Sequence, residues 1–147
     1  MQQPRWMVRL VAQEESARNL AVSYLDTWSD ANHRAVQATP AFYGSTVMFH
    51  GRQVSVQNLL SEKRRFMERW PERHYRYRPE TMIVMCQPGG TSCRVRAVYD
   101  FDASNSARGR HSRGTGVHDL VVSFAADKAV IVSESSRVLG GPDTITK

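Results

Sequence analysis

The sequence predicts an α+β domain, a cone-shaped α+β barrel with three N-terminal helices packed on a curved, mostly antiparallel sheet around an internal cavity. Three observations predict it. Up to Pro71 the apolar residues recur mainly at helical spacing, interrupted by one short strand. After Pro71 only strand patterns follow. The strands are long for a chain of 147 residues, so the sheet must twist around the helices to bury both apolar faces.

Residues 13–28 read as the first helix. Ala17, Leu20, Ala21, Tyr24, Leu25 and Trp28 form one apolar stripe, and Glu14 and Glu15 suit the positive end of the helix dipole. Asp30 is a good N-cap for a second helix, which runs to about Gln37 and stops before Pro40. Residues 41–44 read as a turn with inward aromatics. Residues 46–49 read as a strand, and Gly51 and Arg52 as the turn out of it, with His50 a turn residue. Ser55 caps a third helix whose stripe is Val56, Leu59, Leu60, Phe66, Met67 and Trp70, and Pro71 stops it.

Four strand patterns complete the domain: residues 74–86, interrupted by Pro79, then 93–102, 114–124 and 129–138. In the second, Val95, Ala97, Tyr99 and Phe101 share one face, and Asp100 belongs to the other. Residues 103–113 read as a polar, basic, mobile loop, and 125–128 as a hairpin turn. One domain over residues 13–139 is expected, between a flexible segment at 1–12 and a disordered tail at 140–147.

The net charge is +6, and the excess is arginine, clustered at residues 63–78 and 108–113. Such clusters suit an anionic partner, but a solvated helix face and exposed strand positions produce them more often, and Glu62, Glu68 and Glu72 blunt the first. The alternation of residues 73–78 is that of a half-buried strand, so nucleic acid is disfavoured. No apolar run approaches the roughly 20 residues of a membrane span. Arg5 and Arg9 exclude a normal signal peptide, so the chain is cytosolic or its export signal lies elsewhere.

Cys86 and Cys93 flank a linker rich in turn formers. A hairpin there brings them face to face for a disulfide, which favours a periplasmic or extracytoplasmic address; in a reducing cytosol they are free thiols. They form no CxxC pair and cannot complete a zinc site, so no metal or cofactor is expected. No GxSxG, GxGxxG, Walker or HExxH pattern occurs.

The helix ARNLAVSYLDTWS, the short helix from Asp30, the segment VMFHGRQVS, the helix to Trp70 and the meander together resemble the nuclear transport factor 2-like superfamily, which includes ketosteroid isomerase and SnoaL-like cyclases. The resemblance covers residues 13–139 and concerns architecture more than motif. Residues 63–73, 98–114 and 132–139 are also similar to uncharacterised domains of alphaproteobacterial type attached to longer, often exported proteins. That likeness implies an accessory domain.

The superfamily often holds a pocket between sheet and helices. Here it implies walls of Tyr24, Trp28, Phe42, Phe49, Phe66, Tyr99, Phe101, His118 and Leu120, the same residues that would otherwise simply fill a core. An isomerase or dehydratase needs a base at a carbon acid and a donor for the oxyanion. The candidates are Tyr24 as donor and Asp100 or His118 as acid or base. Asp100 alternates to the wrong face, and His118 lacks an evident partner.

The leading expectation is therefore a non-catalytic domain that binds a small apolar ligand or its parent chain and pairs as a homodimer through the open sheet face. The second is a small isomerase, cyclase or dehydratase acting on an apolar carbonyl compound. The third is an electrostatic binder of anionic polymer or membrane through residues 63–78 and 108–113.

Overall fold

The computed structural model describes residues 3–146, with side chains through 140. Helix α1 (Arg5–Trp28) and helix α2 (Asn32–Ala38) lead into a short 3-10 turn and strand β1 (Tyr43–Phe49). A hairpin to β2 (Arg52–Ser55) precedes α3 (Val56–Arg69). Strands β3 (Glu72–Tyr77), β4 (Ile83–Cys86), β5 (Ser92–Asn105), β6 (Arg110–Ser123) and β7 (Val130–Thr146) follow. The sheet runs β2-β1-β7-β6-β5-β3, and β4 continues the edge of β5 beyond β3. All pairings are antiparallel except β1 with β7. The sheet curls without closing, and the three helices pack into its concave side.

The buried stripe of α1 is the expected one, from Ala17 to Trp28. The helix itself begins eight residues before the expected start, at Arg5, so Glu14 and Glu15 sit in its middle. In residues 5–12 only Met7 and Leu10 are partly buried, while Trp6, Val8 and Val11 are exposed, so this first part of the helix has no continuous buried stripe. Asp30 does not cap α2. Ala31 occupies that position, and the Asp30 carboxylate lies 3.7 Å from the Arg34 guanidinium, one turn on.

Ser55 does cap α3, accepting a hydrogen bond from the backbone N–H of Asn58. The buried positions of α3 are Leu59, Lys63 and Met67. A lysine therefore occupies the middle of the expected apolar stripe. Arg73, from the same basic cluster, is also inside. Its guanidinium donates to the carbonyls of Trp28, Asp30 and Trp70 and to Asn32 Oδ1, at 2.7–2.8 Å. One side chain thus satisfies carbonyls at the ends of α1 and α3, which those helices leave without partners of their own. With Lys63 and Arg73 buried and Arg78 held by Asp100, residues 63–78 form no continuous basic surface.

Pro79 divides the expected strand into β3 and β4, which pair with successive parts of β5. Residues 103–113 are not a loose loop. β5 and β6 pair from Ser92↔Ser123 to Asn105↔Arg110, and Gly109 closes the tight turn with φ +61°, where a side chain would be strained. Strand β7 likewise runs to Thr146 opposite Arg110, through the stretch expected as a tail. Met1, Gln2 and Lys147 of the expected flexible ends lie outside the described residues. Cys86 and Cys93 are directly opposed across β4 and β5 and form a disulfide. Among the described residues no helix is long and apolar enough to cross a membrane.

Candidate functional site

The concave sheet face and helices α1 and α3 leave a cleft of about 570 Å³, open on one side. Its walls are aromatic. Trp28 comes from α1, Phe49 from β1, Phe66 from α3, Tyr75 from β3, and Tyr99 and Phe101 from β5. Trp28 meets Phe66 edge-on, and Tyr75 stacks on Phe101. Inward alternation on β3 and β5 brings Tyr75, Tyr99 and Phe101 to the same face, because Tyr75 pairs with Phe101 and Tyr77 with Tyr99. Gly116 opposes Tyr99 on β6, and the Tyr99 ring lies across it: a Cβ there would come within 2.6 Å of the phenol oxygen. That glycine is what lets the ring lie flat against the sheet.

The floor is polar. Glu134 on β7 is buried, and its two oxygens collect four partners. Oε2 accepts from the Tyr24 hydroxyl at 2.6 Å and from His118 Nε2 at 2.9 Å. Oε1 accepts from the Tyr43 hydroxyl and lies 3.5 Å from Lys63 Nζ. Lys63 donates to the Tyr24 hydroxyl at 2.8 Å, and its ammonium sits 4.3 Å from the centre of the Trp28 ring. His118 Nδ1 lies 2.5 Å from the Tyr77 hydroxyl. This geometry suits the tautomer in which Nε2–H donates to Glu134 and Nδ1 accepts from Tyr77. Six residues from six elements thus share one hydrogen-bonded array.

The charges balance within it. Burial alone would raise the Glu134 pKa, but the Lys63 ammonium and the hydrogen bonds from His118 and Tyr24 outweigh it and hold the carboxyl well below the usual carboxylate range. Burial lowers Lys63, and Glu134 opposes that shift. Burial and then the Glu134 charge push the hydroxyls of Tyr24, Tyr43 and Tyr77 well above the ordinary phenol value, so they remain donors. Among the described residues no fully buried side-chain polar atom lacks a partner.

Of the expected walls, Trp28, Phe49, Phe66, Tyr99, Phe101 and His118 line the cleft. Tyr24 and Leu120, each 1% exposed, lie in the core, and Phe42 packs against Tyr24 away from the opening. Asp100 is on the outer face. Arg78 and Thr115 hydrogen-bond its carboxylate there and lower its pKa, and it has no access to the cleft. His118 has the partner the sequence did not reveal. Lys63, Tyr43, Tyr77 and Glu134 were missed as site residues. The signal for Lys63 was its position, four residues from both Leu59 and Met67. Glu134 was a lone carboxylate in an apolar strand, and nothing local marks which face it takes.

No protein-family model matches the chain, and no curated protein matches it. Solved structures do. A candidate aromatic ring hydroxylase of Novosphingobium aromaticivorans superposes with a TM-score of 0.72 at 12% identity, covering 98% of this chain and 96% of that one. A candidate scytalone dehydratase of the same organism gives 0.72 at 8% identity, over 93% and 89%. A ketosteroid isomerase-like protein of Erwinia carotovora atroseptica gives 0.64 at 16% identity, over 87% and 97%. Identities this low speak for the fold alone.

Proposed function

In this chain, which has the fold of the nuclear transport factor 2-like superfamily, we propose that the cleft binds one small, flat, largely apolar molecule without transforming it. The observation that carries this is the contrast between walls and floor. The walls are aromatic, and the volume suits a single drug-sized ligand. The polar floor has spent its hydrogen-bonding capacity internally. Both nitrogens of His118 are engaged, and all of the Glu134 oxygens' donors are its neighbours. In the wall, the Tyr75 hydroxyl has no hydrogen-bond partner among the described residues, which leaves it to orient the ligand.

The test is calorimetric titration with a neutral two-ring probe, 2-naphthamide. Saturable one-to-one binding, weakened severalfold in Tyr75→Phe and more in Phe101→Ala, supports the reading. No binding sinks it.

A second reading is a small isomerase, cyclase or dehydratase acting on an apolar carbonyl compound. The observation favouring it is that His118, with Glu134 behind it, borders the cleft. To act as a base, His118 must exchange the Tyr77 hydroxyl for substrate. Proton exchange at the carbon beside the carbonyl of 2-tetralone in D2O, lost in His118→Ala with the fold retained, would replace the binding reading with this one.

As an accessory domain the chain pairs with a second copy through the outer sheet face. Half-buried Val98, Val117 and Val121 stand there among ion pairs already made within the chain, Arg78–Asp100 and Arg94–Asp119. Light scattering behind size exclusion checks this. The disulfide supports an extracytoplasmic location.

A further inference from the structure

We infer that the ligand is a planar aromatic carboxylic acid, seated with its rings in the cleft and its carboxylate at the mouth against Arg65 and Arg69. The inference rests on the binding reading above and adds the ligand's charge and its orientation.

Among the described residues three cations and two carboxylates border the cleft: Lys63, Arg65 and Arg69 against Glu62 and Glu134. Lys63 is spent, because Glu134 neutralises it and Tyr24 accepts from it. The two arginines are not spent. Both are exposed on α3, and among the described residues neither guanidinium makes an ion pair or a hydrogen bond. They stand four residues apart, so they share one face of the helix. Each offers a planar fork that matches a carboxylate. Glu62 shares the rim but leaves the two guanidiniums in excess.

The depth of the cleft fixes the orientation. An anion at the floor would lie beside the Glu134 carboxylate, whose charge repels it, where Tyr24, Tyr43 and His118 already donate to Glu134 and Lys63 to Tyr24. An anion at the mouth meets unpaired cations in water and costs little desolvation. The apolar end goes in, where Trp28, Phe66, Tyr75 and Phe101 present ring faces and edges.

The experiment compares 2-naphthoate with its neutral isostere 2-naphthamide by calorimetry at low salt, in the wild-type protein and in Arg65→Gln/Arg69→Gln. Both arginines are exposed, so the variant keeps the core intact. The expected result is naphthoate binding about fivefold tighter than the amide, with that preference abolished in the variant and reduced by added salt. Equal binding of acid and amide to the wild type, or a preference unchanged in the variant, overturns the inference and leaves the binding cleft standing. Binding of neither probe removes both.

Discussion

Glutamine at position 134 keeps the volume of the side chain and removes its charge. Four donors converge on the two carboxylate oxygens, and an amide can accept at only one of its two ends. His118 can respond by exchanging tautomers, and Tyr24 by turning its hydroxyl. Lys63 has no such escape. Its side chain is 8% exposed, and its ammonium would be left buried without a counter-charge. Removing one partner of a buried ion pair costs about 3–5 kcal/mol, out of a total stability of about 5–15 kcal/mol. For a chain of this size the melting temperature should fall by about 10 °C. Urea unfolding followed by circular dichroism at pH 7 measures the loss directly. The double variant Glu134→Gln/Lys63→Met removes the stranded cation and should recover at least half of it. A loss below about 1 kcal/mol in the single variant, or a double variant no more stable than the single, would refute the assignment of Lys63 and Glu134 as a coupled pair. The pH dependence follows from the depressed Glu134 pKa. A group whose folded value is lowered adds stability above its unfolded value, about 4.3, and loses it as the pH falls toward the folded value. The gap between wild type and Glu134→Gln should therefore be full at pH 6 and narrow steadily below about pH 4.

Arg73→Met should destabilise by about 3 kcal/mol, since it strips one buried guanidinium from the carbonyls of Trp28, Asp30 and Trp70. Chemical denaturation reads the loss, and hydrogen exchange should place the extra opening at the C-terminal ends of α1 and α3. Reducing the Cys86–Cys93 disulfide releases a short loop and should cost about 2–3 kcal/mol in the chain-entropy model. A melting temperature that does not move when dithiothreitol is added would show that the β4–β5 pairing holds without it.

The fold was legible because it rests on periodicity. The stripe from Ala17 to Trp28, the Ser55 cap and the Pro79 break are local signals, and each survives in three dimensions. The errors share a cause. Residues 5–12 form helix although Trp6, Val8 and Val11 are exposed, and residues 103–113 pair tightly although their composition is that of a loop. In both, backbone hydrogen bonding decides what side-chain pattern does not. The site was half legible. Aromatic walls follow from alternation, whereas the floor joins residues as far apart as Tyr24 and Glu134. A buried lysine inside a run of basic residues looks like surface until its counter-charge, 71 positions later in β7, is placed beside it.

The position of that floor bears on how the cleft persists. A cleft of about 570 Å³ among aromatic side chains is unfavourable, because it leaves apolar ring surface facing solvent that collapse would exclude. An apolar floor would let the elements slide inward and close it, since dispersion has no preferred register. The array on Glu134 does have one. It fixes α1 through Tyr24, β1 through Tyr43, α3 through Lys63 and β6 through His118, each by a bond with a required distance and direction. Movement of any one element by an ångström breaks a buried polar contact, which costs about 1–3 kcal/mol. The network beneath the cleft thus acts as its spacer, and Glu134 is the residue on which it converges.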